Sequence, residues 1–234
     1  EHVTLRALAA GGQVQDAWAR LNLLDDTLSG MLDFAFDSRL GYLTSRLERV
    51  GTGLVSGVLL HLPALVHLSR LPGLGDAGRG QHLNLHAIRV GVDEPRLLGR
   101  ITTSGPLQEG GERRQLVNQA LYTNAAGAEP AKTAETVGDL FLLSNESSLG
   151  VSEEEQVFHL RHAHGELMSQ ERAARATLRD EQPRQLEDRV GRAQGIASGG
   201  RLLSFPEGLA LISALRLGAA ADLPGRLQLN DLNA

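Results

Sequence analysis

The stretch that decides the fold is Gly41–Leu65, GYLTSRLERVGTGLVSGVLLHLPAL. A short apolar segment opens it, a charged segment and a Gly-Thr-Gly turn follow, and an apolar run then leads to Pro63. Proline is tolerated at the end or edge of a strand, so the pattern predicts a strand, a loop and a second strand. A charged loop held by a rigid sheet is a common place for a functional site. The alternative is an ordinary surface hairpin.

Periodicity on both sides of this stretch predicts the other elements. Loose alternation over residues 1–10 predicts a strand, and apolar residues at helical spacing over 13–36 predict a helix with one buried face. The segment 83–90 alternates cleanly and 140–143 is a short apolar run, so both are predicted to be strands.

Two capping boxes mark helix starts in the C-terminal half. Ser152–Glu155 predicts a helix over about 153–180, and a second helix over about 183–199 follows a proline. Ser204–Glu207 predicts a third helix, which is expected to end at Gly218. Strands followed by long helices indicate the α+β class, in which an antiparallel β-sheet is covered by helices.

The chain is predicted to be one domain, 1–234, with two irregular parts. Residues 100–137 are polar and weakly periodic, which indicates an insertion that leaves and rejoins the fold. Residues 219–234 are predicted to form a loosely held tail.

Composition excludes several classes of function. The net charge of −5 argues against a general nucleic-acid binder, and the absence of cysteine excludes disulfides and thiolate chemistry. No apolar run approaches ~20 residues, so no membrane span is expected and a cytoplasmic location is predicted. Of the 23 basic residues 22 are arginine, which offers a planar fork for phosphate and carboxylate, but a coding bias that favours Arg, Ala, Gly and Leu together explains this better.

Five segments, in order along the chain, resemble the catalytic domain of the phosphagen kinases (ATP:guanido phosphotransferases), and most closely the bacterial protein-arginine kinases. They are Asp37–Leu65, Gly138–Gly150, Glu171–Arg175, Leu186–Val190 and Leu211–Gly218. The resemblance implies the glutamine-synthetase-like catalytic fold of that family, with transfer of the ATP γ-phosphoryl group to an arginine guanidinium. Such a reaction needs positioned reactants, cations on the phosphates and carboxylates on the guanidinium. The family uses Mg²⁺, several arginines, two glutamates and a cysteine for it.

The resemblance can be followed to single positions. Arg6 matches a nucleotide-binding arginine of the family, whereas His2 stands where a substrate-aligning glutamate is expected. Arg46 stands at the position of the reactive cysteine, and Val55 at that of a phosphate-binding arginine.

A further arginine and a substrate-facing glutamate are expected five positions apart. Counting from the HLPAL segment places them at Arg89 and Glu94, and counting back from Gly138 places the arginine position at Gly127 instead. The first assignment is preferred, because it closes a clean strand and leaves 100–137 as the insertion.

These exchanges predict a catalytically impaired domain. Arg46 would put a cation beside the cationic guanidinium, and unit charges ~4 Å apart repel by about 1–4 kcal/mol. Val55 removes a charge-assisted bond to phosphate, worth roughly 1.5–3 kcal/mol. The first hypothesis is therefore a pseudokinase with a binding or regulatory role, for example as a subunit beside an active kinase.

Two alternatives stay open. The chain could be a divergent active kinase that uses ATP and Mg²⁺ on a guanidino or protein-arginine acceptor, or a purely structural dimer module. The partners expected are a protein partner or an arginine-containing protein, in a homodimer or heterodimer, with neither nucleic acid nor membrane.

Two weaker patterns lie on the long C-terminal helix. His159 and His162 are spaced as two metal ligands would be, but no third ligand is apparent, so no metal site is predicted. A set of charged residues is interpreted as an exposed, salt-bridged face; its members are Arg161, Glu166, Glu171, Arg172, Arg175 and Arg179.

Overall fold

A computed structural model describes residues 3–71, 83–88, 137–145 and 147–221. Its helices are α1 Val14–Ser29, α2 Pro63–His67, α3 Glu153–Glu181, α4 Pro183–Gly199 and α5 Phe205–Ala220; its strands are β1 Phe36–Asp37, β2 Gly41–Tyr42, β3 Gly57–His61, β4 Leu83–Ala87 and β5 Leu140–Asn145; short 3₁₀ turns span Leu47–Arg49 and Val137–Asp139. The α+β class is confirmed for these residues. Within the described ranges, no helix combines the length and apolar character needed to cross a membrane.

The main sheet has the order β3–β5–β4, and both pairs are antiparallel. Alternation places Val58 and Leu60 on the helix-covered face, opposite Leu143 and Phe141 of β5. The other face is more open, and Leu59 is 50% exposed there. The sheet therefore presents one face to the core and one to the surroundings.

The long helix α3 is the centre of the core. Its buried stripe includes Leu160, Leu167 and Leu178, which join the apolar cluster of the sheet. Both predicted capping boxes are confirmed, because the side chains of Ser152 and Ser204 each accept the backbone N–H three residues on.

Several predicted boundaries are wrong. Residues 3–10 form no strand, and α1 ends at Ser29 because the chain then turns into the β1–β2 hairpin. The strand β3 ends at His61, and Pro63 begins a short helix, α2, in the first-turn position where proline loses no hydrogen bond.

Gly218 does not end α5, which continues to Ala220. A Cβ at Gly218 would lie 2.6 Å from Val190 Cγ1, so this glycine allows α4 and α5 to approach closely. Of the predicted tail, Ala219 and Ala220 belong to α5, and residues 222–234 lie outside the described ranges. The predicted insertion lies outside them as well, apart from residue 137.

Candidate functional site

Three segments meet at Gly51. The N–H of Tyr42 donates to the Gly51 carbonyl (2.8 Å), and the N–H of Thr52 donates to the Ser148 carbonyl (3.2 Å). Gly51 has a φ of 118°, and a Cβ there would collide with the backbone of Ser148. Only glycine satisfies both the conformation and the close approach.

An open cleft of about 410 Å³ lies over this junction. Its lining comes from the β1–β2 hairpin, the Gly51 turn and the chain before α3: Phe36, Arg39, Leu40, Gly41, Tyr42, Gly51, Thr52, Ser148, Leu149, Gly150, Val151 and Glu153. We call it the Gly51 cleft. Its volume is within the range of small-molecule sites.

Val55 occupies a fixed position beside β3. The side-chain amide of Asn145 holds both neighbouring peptides, since its Oδ1 accepts the N–H of Ser56 (2.8 Å) and its Nδ2 donates to the carbonyl of Leu54 (3.0 Å). A bond from Asn145 N–H to the Ser56 carbonyl (3.2 Å) continues the β3–β5 ladder. Strand alternation therefore places Val55 on the side of Leu59, and its side chain is 55% exposed.

The side chain of Gln156 holds the Asn145 amide in turn. Its Nδ2 also donates to the Gln156 side chain (3.3 Å), whose Nε2 donates to Thr52 Oγ1 (3.3 Å). The first turn of α3, the end of β5 and the Gly51 turn are thus tied together by side-chain amides.

The predicted site residues lie in different places. Arg6 is exposed in the segment before α1, and Arg46 precedes the first 3₁₀ turn, where Thr44 Oγ1 donates to its carbonyl (2.7 Å). Of those that the structure describes, none lines the Gly51 cleft. His2, Arg89 and Glu94 lie outside the described residues.

A polar chain that the sequence reading missed joins the end of β3 to α4 and α5. His61 Nε2 lies 2.9 Å from Ser213 Oγ, Ser213 donates to Asp139 Oδ2 (2.5 Å), and Arg189 donates to the same oxygen (3.0 Å). Since Ser213 gives its proton to Asp139, it accepts from His61. Serine stands between histidine and carboxylate here, so this order activates no nucleophile.

His61 is held neutral in this chain. Burial, and after it the nearby charges of Arg216, Arg175 and Arg189, lower the pKa of His61 to about 3. No periodicity of the sequence points to this cluster, because its members come from four distant segments.

The position of Glu171 corrects the interpretation that the charged residues of α3 form one exposed face. It is fully buried, not part of an exposed face, and its carboxylate accepts the N–H groups of Ala64 (3.1 Å) and Leu65 (3.0 Å) at the start of α2. Arg175 Nε completes the arrangement at 2.7 Å. Burial raises the pKa of Glu171, and these hydrogen bonds oppose that rise.

The signal for Glu171 was present in the sequence. It lies four residues after Leu167 and three before Ala174, both of which belong to the apolar stripe of α3. A charged residue inside such a stripe with an arginine four residues on indicates a buried, paired carboxylate.

His159 and His162 on α3 do not form part of a metal site among the described residues. Residues 3–71, 83–88, 137–145 and 147–221 contain no group of three potential ligands that could hold an ion. His162 Nδ1 lies 3.9 Å from Glu166 Oε2, which is an ordinary pair one helical turn apart.

Comparison with known proteins adds a family context to this geometry. The family model described as "ATP:guanido phosphotransferase, C-terminal catalytic domain" matches residues 1–96. The protein-arginine kinase of Syntrophomonas wolfei is 33% identical over 100% of this chain and 54% of its own length. That of Symbiobacterium thermophilum is 34% identical with the same coverage, and that of Moorella thermoacetica is 36% identical over 94% of this chain and 51% of its own. The chain therefore spans about half the length of the curated relatives it matches.

Proposed function

Because the chain belongs to the ATP:guanido phosphotransferase family, we propose that it is a protein-arginine-kinase-like domain whose phosphoryl transfer is impaired and whose role is binding or regulation. The observation that carries this proposal is Val55. Asn145 binds the backbone on both sides of Val55, so the position of this side chain is fixed. The side chain itself is an exposed valine, which has no hydrogen-bond donor.

The phosphate-binding energy that valine at position 55 gives up relative to arginine can be bounded. An arginine there would offer a charge-assisted bond to a phosphate oxygen, worth roughly 1.5–3 kcal/mol. Each 1.36 kcal/mol is a factor of about ten, so valine lowers affinity or rate by about 10- to 150-fold. Arg46 at the cysteine position adds a cation where the acceptor guanidinium is expected, and this repulsion acts in the same direction.

ATP is the plausible nucleotide for a member of this family. Among the described residues, Arg6 fits a phosphate contact because its guanidinium is exposed and charged, whereas Val55 does not. Arg89 remains a second candidate on sequence grounds. The described residues offer no carboxylate cluster for Mg²⁺, so we derive no step through a bound metal.

The second candidate function is a divergent, active guanidino or protein-arginine kinase. The Gly51 cleft offers such an enzyme a space large enough for a small molecule, but Arg6, Arg46 and Val55 do not line it. In this case Glu94 would orient the guanidinium, and Arg46 would select an acceptor that carries a negative charge.

One experiment separates these functions. The protein is incubated with ATP, Mg²⁺ and an arginine-containing protein, and phosphoarginine is followed by ³¹P NMR of its acid-labile P–N bond. We expect no phosphoarginine from the unaltered protein. Phosphoarginine that disappears in Arg89→Ala would overturn the proposal and support the active kinase.

A second measurement tests Val55 directly. Binding of a fluorescent ATP analogue is compared in the unaltered protein, in Val55→Arg and in the size control Val55→Leu. The expected result is at least a tenfold gain for arginine alone, since one charge-assisted bond has about that value. Equal affinity in the three proteins would contradict the role assigned to this position.

A further inference from the structure

A second concave surface lies on the far end of α3, away from the residues of the Gly51 cleft. Its volume is about 220 Å³, and it is lined by Arg172, Arg175, Ala176, Arg179, Ala220 and Ala221. We call it the arginine groove. The three arginines are spaced three and four residues apart, so they project from one side of α3. The small alanines of α3 and of the C-terminal end of α5 leave room between them.

The positive charge of the arginine groove is only partly balanced. Arg175 is paired through Nε to the buried Glu171, and Arg179 contacts Asp180 (3.0 Å) in an exposed and therefore weak pair. Arg172 is exposed and carries a further charge. Among the described residues, the ion pairs of these three guanidinium groups involve two carboxylates, and one of the two, Glu171, is shielded inside the core.

Helix α5 adds a fourth arginine next to the groove. Arg216 lies one helical turn before Ala220, and its Nε–H is buried with no hydrogen-bond partner among the described residues. An unpaired buried donor is unfavourable, but Arg216 is not one of the residues that line the groove, so the anion contacts are assigned to the lining arginines.

We propose that the arginine groove binds a phosphoryl group, either as free phosphate or on a phosphorylated side chain. Guanidinium forks match the geometry of phosphate oxygens and bind them bidentately. The groove is smaller than the pockets that enclose whole cofactors, so it fits one tetrahedral anion better than a nucleotide. Arg175, fixed by Glu171, supplies a preorganised contact, and the exposed Arg172 and Arg179 close on the anion from either side.

A structural role as a cap for α5 does not account for three arginines. The C-terminus of a helix carries roughly −0.5 of an elementary charge, which one arginine more than balances. The remaining excess of positive charge is what an anion would neutralise.

The test is a calorimetric titration with inorganic phosphate, without ATP, so that it is independent of the proposed function. The probe variant is Arg172→Gln/Arg179→Gln, which leaves the buried Glu171–Arg175 pair untouched. The control is Arg192→Gln, which removes an exposed arginine of α4 that pairs with Asp188 outside the groove. We expect saturable binding in the unaltered protein and the control, and at least a tenfold loss in the double variant.

The source of the anion is resolved by a second titration with a phosphorylated peptide and its unphosphorylated form. Either a phosphopeptide preference or equal binding of free phosphate supports the groove and identifies its ligand. The proposal is overturned if phosphate binding does not saturate, or if the control loses as much affinity as the double variant. Circular dichroism of each variant ensures that a loss of binding is compared between folded proteins.

Discussion

The neutral state of His61 makes a quantitative prediction about acid stability. Its pKa is about 3 in the folded chain against 6.5 for the free side chain. Between these values the unfolded chain binds the extra proton, so stability rises with pH through this window and is lost as the pH falls from about 6.5 toward 3. From pH 7 to pH 4.5, proton linkage at this one histidine removes about 2.5 kcal/mol of unfolding free energy.

The physical reason is the surroundings of His61. A proton on its ring would add a cation among Arg175, Arg189 and Arg216, in a site that water does not screen well. The carboxylate of Asp139 is already engaged by Ser213 and Arg189, so it offers the imidazolium little compensation.

The assay is urea unfolding at pH 7 and pH 4.5, for the unaltered protein and for His61→Gln. Glutamine can donate to Ser213 through its amide and does not titrate. The unaltered protein should therefore lose about 2.5 kcal/mol more than the variant between the two pH values. His162→Gln, on the exposed side of α3, serves as the control and should keep the loss. An equal pH dependence in His61→Gln and the unaltered protein would refute the reasoning.

Four further substitutions test the packing described above. Glu171→Gln should lower the free energy of unfolding by about 3 kcal/mol, because an amide presents only one oxygen to the two backbone donors and leaves the charge of Arg175 uncompensated. Denaturant unfolding measures this loss, and an unchanged stability would contradict the burial of the carboxylate. Gly218→Ala should destabilise the fold by about 1–3 kcal/mol, because its Cβ would collide with Val190. Gly165→Ala has open space at its Cβ and should stabilise the fold by up to about 1 kcal/mol. A change in unfolding free energy of the same sign in both variants would contradict this geometry. Asn145→Ala should speed amide exchange at residues 54–56 and cost about 1–2 kcal/mol, and unchanged exchange would argue against its holding role.

The sequence predicted those parts of the fold that depend on local signals. Both capping boxes, the start of α4 and the strands β4 and β5 follow from short patterns, and each lies close to its predicted place. Element ends were predicted less well. Gly218 has the residue type of a helix stop, but its place against Val190 is decided by tertiary packing, which no local pattern contains.

The candidate site shows the same division. The loop and the Gly51 turn were predicted from residues adjacent in the chain, whereas the approach of Ser148 to Gly51 was not, because it depends on tertiary packing. The His61 chain was not identified, since Asp139 and Ser213 reach it from positions 74 residues apart. Glu171 was predicted to be exposed because it is charged, although its helical spacing relative to the apolar stripe of α3 predicts a buried side chain.

The frame around Val55 explains how a site of this kind can exchange its reactive groups and keep its shape. The contacts that fix this segment run through the Asn145 amide to backbone atoms of Leu54 and Ser56, and none of them uses the Val55 side chain. An exposed side chain on a backbone held in this way can be replaced at a cost within about 0.5 kcal/mol. Stability therefore places no demand on the identity of residue 55. The chemistry of the site and the stability of its frame are separate, so arginine at this position should restore a phosphate contact without disturbing the fold.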